Sequence, residues 1–266
     1  MVSLLSAVRD IGRLREIYVV LVRHGFADLA QRLGFGGGKA TDDRDEEIPD
    51  SERKRGERER KRVSLAERVR LVVMDLGPSF VKLGQIASTR PDILPAEWIV
   101  ELKKLQDEVT PLDFEEIQQA IETSLGASLD EVFEEVDEEP LAAASIAQVH
   151  RAILKHPDGP QRVVVKVQRP RIAGTIERDL ELLHTLARFI ERTIVESHIY
   201  QPCALVDQFD AAITSELDFT LEADNAGRFA QNFEGHPHAV FPSIFKEASS
   251  KRVICMDLLD GHKVYE

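Results

Sequence analysis

Apolar residues recur at helical spacing near the start of the chain: Leu4, Leu5, Val8, Ile11 and Leu14, then Ile17 and the run Val19, Val20, Leu21 and Val22. That period predicts a helix over residues 3–33. Arg9, Arg13, Arg15 and Arg23 sit among these positions, so the helix reads as basic and amphipathic, suited to a membrane surface or to packing on its own domain. The pattern then lapses. GFGGGK at 34–39 has Leu33 and Ala40 where a phosphate loop needs Gly and Ser or Thr, and it reads as a hinge. Residues 41–62 are nearly all charged, acidic from Asp42 to Asp50 and basic from Arg53 to Arg62, which predicts a linker or a solvated helix extension.

Order resumes at Ser64, with Glu67 three residues on, a capping-box signal before Val69, Leu71, Val72, Val73 and Leu76. Gly77-Pro78 breaks this helix. A second is predicted over 79–89, a third from Pro95 to about Val109, and a fourth from Asp113 to about Gly126. The texture then changes to β-type, with strands at 148–154 and 162–167 around the turn signal His156-Pro157-Asp158-Gly159-Pro160. Helical patterns return over 172–194 and from about Leu205 to Phe233. Two further strands are expected at 243–246 and 252–259. These spacings divide the chain into an amphipathic helix (1–36), a charged linker (37–62), a helical extension (63–127) and a mixed domain (128–266).

Composition narrows the chemistry. Hydrophobic residues at 43% allow a sizeable core. The net charge of −13 argues against whole-chain attraction to nucleic acid, so no nucleic-acid partner is expected. Cys203 and Cys255 form neither a CxxC pair nor a set with spaced histidines, which points to buried thiols rather than a disulfide or zinc framework. No segment reaches the roughly 18–20 apolar residues of a membrane span, and arginines interrupt any signal-peptide core. His236 and His238 lack a nearby third ligand, so no metal site is expected there. His150 reads as a surface or packing residue.

Chemistry gathers around one strand. Lys166 lies inside Val163-Val164-Val165-Lys166-Val167, where an ammonium is costly to bury unless an anion meets it. The preceding hairpin carries Ala142, Ala143, Ala144 and Ser145, small residues that permit close backbone approach to a ligand. Glu216, Asp218 and Glu222 form an acidic cluster. The spacing of Asp218 and Glu222 predicts a shared helix face, with Lys166 and Lys82 as the cations that meet the cluster.

These residues together resemble the UbiB family of atypical kinase-like proteins. Lys82-Leu83-Gly84-Gln85 is similar to that family's K-x-G-Q signature, Ala142–Ala147 to its alanine-rich loop, Lys166 to its strand lysine, Glu216-x-Asp218 to its E-x-D motif, and Glu222 to the glutamate of its C helix, all in family order. The resemblance implies an α+β fold: a kinase-like N-lobe, with a small antiparallel sheet plus helices, preceded by a helical extension. It implies that Ala142, Ala143, Ala144, Ser145, Lys166 and Glu222 hold ATP or ADP with magnesium, Lys166 pairing with Glu222. It further implies that Lys82 and Gln85 serve the active site, Lys82 meeting Glu216 and Asp218. The associated activity is an ATPase or small-molecule kinase linked to ubiquinone (coenzyme Q) biosynthesis.

The pattern stops early. No H-x-D, distal Asn or D-F-G follows the strand at 252–259, so the catalytic lobe and its magnesium ligands are expected to be missing and the chain alone not competent for phosphoryl transfer. Whether it is an enzyme stays open on sequence alone. The alternatives are a non-catalytic nucleotide- or lipid-binding scaffold and, third, a helical interaction protein that has lost nucleotide binding. Expected partners are a nucleotide, a membrane surface or quinone-biosynthesis proteins, and a second copy of the chain as homodimer. The expected location is cytoplasmic, peripheral to a bacterial inner membrane or its organelle equivalent.

Overall fold

A computed structural model describes residues 4–27, 63–92, 94–105, 109–193 and 201–261. The hinge at 34–39 and the charged linker lie outside these. The described residues divide into two compact units, residues 1–106 with 178–205, and residues 107–177 with 206–266.

The first unit is helical: α1 (Leu4–Arg23), α2 (Leu65–Leu76), α3 (Pro78–Ala87) and α4 (Ala96–Leu102), with the later part of α7 (Ile172–Thr193). Ser64 caps α2, its hydroxyl accepting from the Glu67 amide at 3.1 Å. Gly77 turns the chain into α3 with φ 94°, a conformation that favours glycine. Helix α4 stops at Leu102, short of the predicted Val109, because Leu105 turns back into the core beside Leu102. Ile17 and Val20 of α1, Val72 and Leu76 of α2 and Phe80 of α3 form one buried cluster, joined by Leu182 and Leu183 of α7.

Beside that cluster lies a buried polar knot. Asp179 is 1% exposed. It accepts from Arg13 Nε at 2.7 Å and from the Ser79 hydroxyl at 2.5 Å, while Arg13 also donates to the Leu76 carbonyl at 2.7 Å. Burial works against the Arg13 charge, but the bonds to Asp179 and Glu16 outweigh it and hold the guanidinium above its ordinary pKa. The basic face predicted for α1 is thus partly spent inside the protein, at Arg13.

The second unit is built on a five-stranded antiparallel sheet, ordered β1 (Phe133–Val136), β3 (Ala147–Leu154), β4 (Gln161–Gln168), β5 (Val253–Asp257), with β2 (Ala142–Ala143) also paired to β3. Strands β3 and β4 fall within a residue of their predicted bounds. Helix α5 (Phe114–Leu125), read from sequence with the helical extension, packs on this sheet. Its Ile117 and Ile121 are buried with Phe133, Val163, Val165, Val167 and Cys255. Two elements differ from the sequence expectation. The strand at 243–246 reduces to a single bridge, Ile244 to Met256, before a 3-10 turn at Lys246–Ala248. The long helix over 205–233 is broken at Leu217-Asp218 into α8 (Pro202–Glu216) and α9 (Phe219–Asn232). Helix α6 (Leu129–Val132) carries a complete capping box, Ser128 with Glu131. His150, fully buried, is a packing histidine: its Nδ1 lies 2.7 Å from the Asp137 carbonyl and its Nε2 3.0 Å from Gln148 Nε2.

Replacing Asp179 with alanine strands Arg13 and Ser79 in the interior, and the expected loss is about 3 kcal/mol in a denaturant titration; a loss under about 1 kcal/mol contradicts a structural role for the knot. Burial, aided by the nearby Glu247 and Asp257 carboxylates, pushes the Cys255 thiol up to about 12. Iodoacetamide at neutral pH is therefore expected to label half-buried Cys203 in the native protein and to spare Cys255 until denaturant is added.

Candidate functional site

Strand β4 alternates, sending Val163, Val165 and Val167 into the core against α5 and Lys166 to the other face. There Lys166 Nζ meets Glu222 of α9 at 2.7 and 2.9 Å from its two oxygens and lies 4.8 Å from the centre of the Phe219 ring. The costly ammonium of the sequence argument thus has its anion and an aromatic face as well. The lysine side chain keeps 26% exposure and the glutamate 44%. Such a half-exposed pair is worth roughly 0–1 kcal/mol. Its consequence is geometric: it fixes where the ammonium stands beside the apolar run Val163–Val167 of β4.

The helix that brings Glu222 is fixed by its own start. Gln168 Nε2 donates to the Leu217 carbonyl at 3.0 Å, and the buried Phe219 donates its amide to the Lys251 carbonyl at 3.0 Å. Asp218 is the N-cap, accepting from the Thr220 amide at 3.0 Å and from its hydroxyl at 2.5 Å. Its cation in this unit is Lys251, at 3.5 Å. The Thr220 bonds, with Lys251 adding to them, hold the Asp218 carboxyl below its ordinary pKa. The expected shared helix face of Asp218 and Glu222 is therefore corrected. Asp218 precedes the helix and serves its cap, while Glu222 lies in the first turn and serves Lys166. Glu216 ends α8, half-buried. Lys166, Phe219 and Glu222 come together; Asp218 joins them through the backbone corner rather than through charge.

The alanine segment is tied to the same sheet. Ala142 pairs with Val149, and Val149 with Lys166, so the three form one row across β2, β3 and β4. Cross-strand neighbours share a face, so the small Ala142 stands two strands from the ammonium. Past Ala143 the chain makes a tight turn, closed by the Ala144 amide on the Ala147 carbonyl at 2.8 Å, with Ser145 and Ile146 buried. Arg169 holds this turn, its Nε donating to the Ala144 carbonyl at 2.8 Å and its terminal nitrogen to the Thr110 carbonyl at 2.9 Å. Gln148 fastens the approach from the other side, bonding both the amide and the carbonyl of Leu112. The turn is stiffer than a glycine loop for two reasons, its alanines and its side-chain anchors. Sequence reasoning missed Phe219, Arg169 and Gln168. Only the position of Arg169 and Gln168, next to Pro170 at the end of the lysine strand, hinted at a role.

In the first unit the K-x-G-Q residues lie on α3. Lys82 is half-buried. A Cβ on Gly84 would collide with Leu105 Cδ1 and come within 3.1 Å of Val73 Cγ1, so a side chain there would have to displace both. Gln85 donates to the Leu105 carbonyl at 3.2 Å, fastening the segment that ends α4. Among the described residues no group of three or more His, Cys, Asp and Glu could hold a metal ion, and no helix is long and apolar enough to cross a membrane.

Residues 104–266 match the model of the ABC1 atypical kinase-like domain. The chain is 43% identical over 200 residues to a "Probable protein kinase UbiB" of Cellvibrio japonicus and 42% identical over 200 residues to one of Marinobacter nauticus, each alignment covering 75% of this chain and 36% of the relative. It therefore spans about a third of the length of these relatives. A solved structure of Rv3197 with erythromycin from Mycobacterium tuberculosis aligns with 67% of this chain and 44% of its own at 26% identity and a TM-score of 0.48, too slight a likeness to bear on the fold. The domain match covers the sheet, the lysine strand, the alanine turn and α9, and on it the chain belongs to the ABC1 atypical kinase-like family.

Proposed function

We propose that this chain supplies the nucleotide-binding lobe of a UbiB-type atypical kinase or ATPase. One observation carries the reading: Lys166 on β4 bonds both oxygens of Glu222 on α9, in the same sheet row as the small residue Ala142. An ammonium so held can meet phosphate oxygens without first being ordered, which lowers the cost of binding. The turn at Ala142, Ala143, Ala144 and Ser145 offers short side chains over which phosphates can approach the backbone.

The ligand of this reading is ATP or ADP with magnesium. In kinase-like folds the magnesium ligands belong to the catalytic lobe, and this reading assigns them there rather than to the lobe that holds Lys166. Lys82 and Gln85 are assigned to the same function, and so are Glu216 and Asp218. By resemblance the whole protein acts in ubiquinone biosynthesis at a membrane surface, on a small molecule rather than a protein. The step assigned to the residues of this chain is nucleotide binding.

Magnesium-ATP or magnesium-ADP is expected to raise the melting temperature of the chain, and Lys166→Ala to abolish that rise while changing the unliganded stability by about 1 kcal/mol or less. An equal rise in wild type and variant overturns the assignment of Lys166. No rise in either favours a helical interaction protein that has lost nucleotide binding. Glu222→Gln keeps the shape but removes the charge that holds the ammonium. It is expected to weaken nucleotide binding severalfold in a titration by calorimetry, with the fold intact by circular dichroism.

A further inference from the structure

The second unit contains a cavity of about 560 Å³ that the nucleotide reading does not use. It lies between α5, the end of β4, the first turn of α7 and the segment leading into β5. Val167 lines it. Because Val167 and Lys166 point to opposite faces of β4, this cavity is on the α5 side of the sheet, away from the Lys166–Glu222 pair.

Its charge is at odds with the chain. The protein carries a net charge of −13, yet the cavity is lined by Arg169, Arg171, Lys251 and Arg252 against the single carboxylate of Glu116. Two of the cations are partly engaged. Lys251 meets Asp218 at 3.5 Å, and Arg169 bonds only the neutral carbonyls of Ala144 and Thr110. Burial next to those neutral partners lowers the Arg169 pKa from its ordinary value, so its charge lacks compensation. Arg171 and Arg252 stand exposed at the mouth of the cavity, and among the described residues neither has a carboxylate within salt-bridge distance. Arg171 moreover holds φ 64°, a strained conformation for a residue with a side chain. Hydroxyls complete the wall: Ser250 Oγ accepts from the Arg252 and Val253 amides and lies 2.7 Å from the Ser124 hydroxyl of α5.

Cations gathered in a concave, partly apolar site focus an attractive field on a small anion. Arginine forks match the oxygens of phosphate, and serine hydroxyls can satisfy the rest. We propose that this cavity binds a phosphate-bearing anion at a site separate from the nucleotide pair. The proposal stands independently of the nucleotide reading, because no residue of the Lys166–Glu222 pair lines the cavity.

The test uses the whole 266-residue chain and inorganic phosphate as probe, with sodium chloride at equal ionic strength as control. Phosphate is expected to raise the melting temperature beyond the chloride control. The double variant R171Q/R252Q is expected to need about tenfold more phosphate for the same rise, and Lys166→Ala to keep a phosphate-dependent rise, losing only the part that phosphate at the nucleotide pair contributes. Glu116→Gln, which removes the carboxylate that lines the cavity, is expected to shift the response to lower phosphate. Phosphatidylglycerol vesicles set against phosphatidylcholine vesicles identify the source: competition with phosphate by the anionic vesicles marks a lipid headgroup, and its absence marks a free phosphate compound, either of which supports the site. A wild-type response no larger than in chloride overturns the proposal. So does an unchanged phosphate midpoint in both R171Q/R252Q and Glu116→Gln. Loss of the phosphate response in Lys166→Ala also overturns it, by reducing this site to the nucleotide one.

Discussion

The ammonium of Lys166 and the carboxylate of Glu222 are separated by 56 residues of chain and brought to 2.7 Å. The nucleotide reading of the second unit depends on that meeting. Its energy is small, because both side chains keep contact with water and a half-exposed pair is screened. The fold is therefore not held together by the pair. The pair is instead placed by stronger constraints: the apolar alternation of β4, which allows Lys166 one face only, and the corner at Leu217–Phe219, which fixes the start of α9.

That corner shows how a site is over-determined. Gln168, one strand position removed from the core residue Val167, takes the Leu217 carbonyl, and the Lys251 carbonyl takes the Phe219 amide. Phe219 is itself buried and lies under the ammonium. Asp218 spends its charge on the helix cap and on Lys251. Each bond is worth roughly 1 kcal/mol, but together they leave Glu222 little freedom to be elsewhere. The alanine turn is held in the same manner by Arg169 and Gln148, so a loop made of small residues is nonetheless ordered.

The first unit applies the same physics to a helical framework. A side chain at Gly84 would have to displace Leu105 and Val73, which pack against α3, and Gln85 bonds the Leu105 carbonyl. Two positions of the K-x-G-Q signature thus have packing reasons in addition to any chemistry assigned to the family. Asp179 does for this unit what Phe219 does for the other, gathering Arg13 and Ser79 from distant segments at a buried point where a missing partner is expensive.

The residues by themselves determined the elements whose signals are local. Alternation in Val163–Val167 marked β4, the Pro-Asp-Gly turn marked its hairpin, Ser64 and Asp113 marked helix starts, and the ordered motifs marked the family. They also paired Lys166 with Glu222, though only through resemblance, since no local rule links residues 56 apart. What tertiary structure alone decided was of another kind. It joined α5 to the sheet, broke the predicted helix at Leu217-Asp218, gave Asp218 to a cap and to Lys251, and reduced the strand at 243–246 to one bridge. It also collected Arg169, Arg171, Lys251 and Arg252 around one cavity. The reason is that spacing encodes which face a side chain takes within its own element, whereas the partner waiting at that face is set by packing between elements far apart in the chain.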